Sequence, residues 1–224
     1  MRERTRNGVP LATILFSLAT ILLTGCTVTQ QPITLLPSGS GTPDGSLLVV
    51  FTFGKGCPGD GAGNGLRGVA DTIRVQYPGQ QVITRGCDDE DGIEQTLQNH
   101  RGPIAMVGHS FGGCRSLEMA ARLRRPVDWL ILLDPVPYND WAFRHAGLYF
   151  QLPTNIAKAV CYYRPAWLFP ISYPILNPLT PSDNRLRSWG HNAFCADPEV
   201  RQCILSLCAE EQGRTPMQVS AAGG

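Results

Sequence analysis

Gly108-His109-Ser110-Phe111-Gly112 is the stretch on which the reading of this chain turns. An apolar run, Pro103-Ile104-Ala105-Met106-Val107, leads into it, and a helix-like run from Gly113 to Leu123 follows. A strand, a G-x-S-x-G turn and a helix lift a serine clear of a sheet and aim a helix N-terminus at it. Glycines on both sides let so tight a turn close without Cβ clashes. With 24 glycines in 224 residues the pentapeptide alone is weak evidence. Its flanking strand and helix give it weight.

The same alternation continues on either side. Leu47 to Phe53 is a continuous apolar run, as expected of a strand buried on both faces. A helix follows over about Leu66 to Tyr77, closed by Pro78-Gly79. Gln81 to Arg85 reads as the next strand and Asp91 to His100 as a helix with Ile93 and Leu97 on one face. Beyond the serine turn and its helix, Val127 to Leu133 is another buried strand, ending at Asp134-Pro135. Ala157 to Tyr163 reads as the last strand. Asp197-Pro198-Glu199 opens the final helix, with aspartate as N-cap and proline in the first turn. Val200, Cys203, Ile204 and Leu207 form its inner face. Repeated β-α-β units predict an α/β fold: a mostly parallel sheet with helices on both faces. Ligands in such folds sit outside the carboxyl ends of the strands, where Ser110 and Asp134 both fall.

The ends of the chain read differently. Arg2, Arg4 and Arg6 precede an apolar stretch from Leu11 to Leu23, the pattern of a bacterial export signal. It closes on Leu23-Thr24-Gly25-Cys26, which looks like a lipobox. That resemblance implies a signal peptide over residues 1–25, cleavage before Cys26, and acyl chains on Cys26 that anchor the protein to the membrane. Thr27, in place of aspartate, implies the outer membrane if the cell is Gram-negative. The Thr-, Gln-, Pro-, Ser- and Gly-rich residues up to 46 read as a flexible tether, so 26–46 is lipidated cysteine plus tether. Residues 47–209 form the one domain, and 210–224 read as a disordered tail.

The net charge is +1 and Lys and Arg are not clustered, so there is no electrostatic footprint for nucleic acid. Export into an oxidising compartment leads one to expect disulfides among the eight cysteines. Cys57 and Cys87 follow neighbouring strands and are candidates for a pair. Cys161, Cys195, Cys203 and Cys208 are expected to pair in an order the sequence does not give. Cys114, behind the serine turn, is the candidate for the odd thiol. The cysteine spacings contain no C-x-x-C, which disfavours a zinc site.

A serine hydroxyl needs a general base, and the base needs an acid to orient it. Of the four histidines, His100 and His109 precede Ser110, and His109 is expected to point away from it along the strand. His191 lies in a loop just before the last helix, where it can reach over Ser110. His145, in an expected helical insertion, is second choice. Among the acids between Ser110 and His191, Glu118 lies on the helix and Asp128 at the wrong end of its strand. Asp134 stands at the right end. Asp183, read as lying in a loop after the last strand, is the alternative.

The order Ser110, Asp134, His191 resembles the α/β-hydrolase superfamily, over most of Leu47 to Cys208. In many members of that family the acid follows a later strand. Here it follows the strand next after the serine turn. The resemblance implies hydrolysis of an ester or related acyl bond through an acyl-enzyme, on an acyl-ester or lipid-like substrate, with no cofactor. The backbone N–H groups of Phe111 and Lys55 are the expected oxyanion donors. Ten of the 18 aromatics fall between Tyr138 and Tyr173, where such enzymes build lids and acyl pockets, although core packing explains them equally well. Gly54-Lys55-Gly56-Cys57-Pro58-Gly59 also matches a dinucleotide fingerprint, but Cys57-Pro58 falls where the helix should already run. Acyl transfer with the same triad, and a non-catalytic envelope lipoprotein that binds through a hydrolase-like scaffold, are the alternative functions.

Overall fold

The computed structural model describes residues 45–54, 65–137, 150–164, 174–176, 182–187 and 190–214. All of them belong to the unit Leu36–Gly224. Their strands are β1 (Leu48–Phe53), β2 (Gln81–Gly86), β3 (Ile104–His109), β4 (Val127–Leu133), β5 (Phe150–Gln151), β6 (Ile156–Tyr163), β7 (Ile175–Leu176) and β8 (Ser182–Leu186). The helices are α1 (Leu66–Gln76), α2 (Glu90–Asn99), α3 (Phe111–Arg122) and α4 (Pro198–Arg214), with a 3-10 turn at Ala193–Ala196. Six strands make one sheet in the order β2-β1-β3-β4-β6-β8, and every pairing is parallel. The short strands β5 and β7 pair separately. The predicted α/β architecture, a parallel sheet with helices on both faces, is what the chain forms.

The strands sort their side chains by parity, as the pleat requires. Leu48 and Val50 of β1, Ile104 and Met106 of β3, and Leu130 and Leu132 of β4 pack on one side with Ile93 and Leu97 of α2 and Cys114 and Leu117 of α3. Val49 and Phe51, Ala105 and Val107, and Ile131 and Leu133 pack on the other, with Val69 and Ile73 of α1 and Val200, Ile204 and Leu207 of α4. Each fully buried side chain of this kind contributes about 1.5–3 kcal/mol. Both faces of the central strands are thus covered, which accounts for their unbroken apolar runs.

Local chemistry sets the helix starts. Asp89 caps α2, its carboxylate accepting the Gly92 N–H at 3.2 Å. Asp197 caps α4 by accepting the N–H groups of Glu199 at 2.7 Å and Val200 at 3.2 Å.

Four expectations are corrected or fall outside the described residues. Ala157 to Tyr163 is not the last strand: β8 extends the sheet beyond β6, pairing Asp183 with Val160. Ser-Asp-Asn-Arg-Leu carries no apolar alternation because β8 is the sheet's edge, where charged side chains are tolerated and protect the strand from further pairing. Helix α4 runs through Glu210 to Arg214, into the segment expected to be a tail, and Lys158 Nζ holds Glu210 at 2.9 Å. No disulfide joins the described cysteines. Cys161 packs on the α2–α3 side of the sheet, whereas Cys195, Cys203 and Cys208 pack on the α4 side. Five residues apart on one helix, Cys203 and Cys208 are offset by about 140° around its axis. Cys57, the expected partner of Cys87, lies outside the described residues, as do Cys26 and the tether up to residue 44.

Candidate functional site

The carboxyl ends of β3, β4 and β6 meet at one place, and the backbone ties them together. The Ser110 N–H donates to Leu133 O at 2.9 Å, the Val136 N–H to Ser110 O at 3.2 Å, and the Asp134 N–H to Tyr162 O at 2.7 Å. Ser110 follows β3 directly and stands at φ 57°, ψ −127°. A residue with a side chain rarely adopts that conformation, and it is a form of backbone strain typical of functional sites. The turn fits only because its neighbours are glycine. A Cβ at Gly112 would sit 2.1 Å from Thr52 O, and one at Gly54, where β1 ends, 2.7 Å from Ser110 Cβ. Asp134 also has positive φ, 48°, which aspartate tolerates better than most residues.

The side chains converge on His191. Its Nε2 is 2.8 Å from Ser110 Oγ, and its Nδ1 hydrogen-bonds Asp134 Oδ2. A carboxylate only accepts, so Nδ1 carries the hydrogen and Nε2 is left to accept from the serine hydroxyl. Asp134 is fully buried, Ser110 nearly so, and the His191 side chain is about a quarter exposed. The three residues named from strand ends and loop position are therefore joined through His191. Asp183 is not part of this group. It lies in β8, its carboxylate half-exposed and bound to Arg185 at 2.6 Å. Glu118 lies away from the serine, in an ion-pair group on α3.

Two further residues belong to the site. The His109 ring does not point away along β3. Its Nε2–H donates to His191 O at 2.9 Å, and the two rings lie 4.7 Å apart, tilted by 34°. Parity carried the signal: His109 shares its face with Ala105 and Val107, the face that α4 and the loop before it cover. Arg164, directly after β6, is buried and donates from Nε to Asp134 Oδ2 at 2.6 Å. Its Nη2 lies 3.5 Å from His191 Nδ1. No spacing rule in the sequence points to Arg164; only the parallel pairing of β6 beside β4 brings it to Asp134. Asp134 Oδ2 thus takes two donors, while its buried Oδ1 has no hydrogen-bond partner among the described residues.

Among the described residues, neither Cys114 nor Cys161 competes with Ser110 as a nucleophile. Burial pushes the Cys114 thiol well above its usual range. The Cys161 thiol is raised by burial and, beyond that, by the Asp134 charge. A thiol held protonated is a poor nucleophile. Phe111, the first residue of α3, follows Ser110 directly. Lys55 and His145 lie outside the described residues, as do Trp141, Phe143, Tyr149, Trp167 and Phe169 of the aromatic segment. Within that segment, Phe150 and Tyr162 are core residues.

No family model matches the sequence, and no curated protein matches it. Among solved structures the chain is similar to alpha/beta hydrolase domain-containing protein 10 from mouse, with 14% identity and a TM-score of 0.48 over 80% of this chain and 92% of that one. It is also similar to a yden-like hydrolase from Pectobacterium atrosepticum, with 14% identity and a TM-score of 0.47 over 76% and 94%. A hydrolase of the alpha/beta superfamily from Xanthomonas campestris aligns with 13% identity and a TM-score of 0.41, over 75% and 98%.

Proposed function

We propose that the protein is a serine hydrolase that cleaves a carboxylic ester or related acyl bond through an acyl-enzyme. One observation carries this reading: Ser110 Oγ lies 2.8 Å from His191 Nε2, and the other nitrogen of that ring is bonded to the buried Asp134. In the first half-reaction His191 Nε2 takes the Ser110 proton as Oγ attacks the acyl carbon. The carbonyl electron pair moves onto its oxygen. The Phe111 N–H, backed by the α3 N-terminus, and the Lys55 N–H are the proposed donors to that oxyanion. The tetrahedral centre then collapses, the bond to the leaving group breaks, and the His191 proton passes to the departing oxygen. Water repeats the sequence on the acyl-serine, with His191 as base, and releases the acid. Asp134 holds the ring in the required tautomer and balances the imidazolium that forms.

Attachment to the cell envelope through a lipidated Cys26 is part of the proposal and rests on the sequence. A Cys26→Ala form of the full chain should leave the membrane fraction for the soluble one; unchanged fractionation would remove the anchor from the account.

Turnover of p-nitrophenyl esters of increasing chain length tests the chemistry. Wild type should release nitrophenol with a chain-length preference, and His191→Ala should lose about 10⁴-fold or more of kcat. Equal background rates in both would contradict the enzymatic reading and favour a binding scaffold.

A further inference from the structure

Arg164 enters no step of that mechanism, yet it is buried against the residue that orients the base. Its Nε and the His191 Nδ1–H donate to the same oxygen of Asp134. Its Nη2, 3.5 Å from His191 Nδ1, cannot donate there, because that nitrogen already carries a hydrogen directed at Asp134. The second contact is therefore a charge placed beside the ring. Among the described residues, the groups that face His191 come from three strand ends: the His109 ring at the end of β3 with Ser110 just after it, Asp134 after β4 and Arg164 after β6. At the start of α4, Asp197 is engaged by its own helix, and Glu199 by Arg185 and Arg187.

We propose that Arg164 is a positioning residue for the Ser110–His191 pair: it fixes the Asp134 carboxylate behind the ring and opposes a second proton on His191. The inference rests on the acyl-enzyme reading above. Two effects act in the same direction. A guanidinium beside the imidazole repels a proton arriving at the ring, and a carboxylate oxygen shared with Arg164 attracts that proton less. The neutral ring is the form able to accept the serine proton. Arginine suits the place because its planar guanidinium stays charged when buried.

The test is the rate of labelling by a fluorophosphonate as a function of pH, for wild type, Arg164→Met and Arg164→Lys. In Arg164→Met the half-maximal pH should rise by about one unit, a change of about tenfold in the ring's proton affinity, and the plateau rate should fall as Asp134 loses its anchor. Arg164→Lys keeps the charge and should hold the half-maximal pH within about 0.3 of wild type. An Arg164→Met profile that is lowered without moving, or that superimposes on wild type, overturns the proposal. Should Arg164→Met fail to fold, Arg164→Gln carries the same expectation; if that fails too, Arg164→Lys decides, and a displaced profile overturns the proposal. If wild type is not labelled at any pH, the acyl-enzyme reading fails. NMR titration of the His191 ring in the same variants then decides the role of Arg164 separately, with the same upward displacement expected in Arg164→Met.

Discussion

Among the described residues, two arginine–carboxylate groups are buried, and they are built in opposite ways. Between α2 and α3, Arg115 donates to Cys87 O at 2.9 Å, to Glu90 at 2.6 Å and to Glu118 at 2.8 Å. Both oxygens of the buried Glu118 are used, one by Arg115 and the other by Arg122. At the strand ends, Asp134 gives one oxygen to two donors, leaves the other without a partner among the described residues, and sits at positive φ. The first group leaves none of its buried side-chain polar atoms without a partner and stands in ordinary helical backbone, as a structural brace should. The second leaves an acceptor unsatisfied and keeps strained backbone at Ser110 and Asp134. Such departures concentrate where chemistry is done.

Substitutions can separate the two groups. Asp134→Asn should abolish fluorophosphonate labelling and also destabilise the fold by about 3–5 kcal/mol, because it leaves Arg164 buried without its anion. Adding Arg164→Met should recover much of that stability in urea unfolding but none of the labelling. Were the double variant as unstable as Asp134→Asn, the pair would not be coupled. Glu118→Gln should cost about 1.5–3 kcal/mol, the scale of a hydrogen bond to a charged group, with the labelling rate unchanged. A large loss of labelling there would erase the distinction between brace and site.

The edge of the brace should respond to acid. The Glu90 pKa is shifted, burial acting to raise it while the hydrogen bond and charge of Arg122 and the charge of Arg115 prevail and lower it below the usual 4.5. A lowered folded-state pKa adds stability that is present above the unfolded value and is lost as pH falls through the folded one. The melting-temperature gap between wild type and Glu90→Gln should therefore be constant near neutrality and close below about pH 4.5. A gap that widened in acid would contradict this linkage. The smallest effect is expected at Asp183. Asp183→Asn should change stability by less than about 0.5 kcal/mol and labelling by less than about twofold, as for an exposed pair. A loss comparable to that of Asp134→Asn would overturn the assignment of the acid.

The same contrast shows what can be read from sequence. Ser110, Asp134 and His191 are legible because each stands at a punctuation mark: a glycine turn, a strand end before proline, and a loop before a capped helix. His109 was within reach through strand parity. Arg164 was not, since one arginine after a strand, in a chain with 19 Lys and Arg, gives no local sign that it is buried. Strand β8 carries no sign in the sequence because its edge position needs no apolar pattern. The expected disulfides came from compartment, a property of the cell, whereas packing places Cys161 and Cys203 on opposite sides of the sheet.

Reaction of the folded protein with a fluorophosphonate, followed by peptide mapping, asks whether Ser110 is an activated nucleophile. A single phosphonylated site is expected at Ser110, lost in Ser110→Ala and in His191→Ala while both variants keep the wild-type circular dichroism. A folded wild type that stays unmodified, or one modified equally in Ser110→Ala, would contradict it.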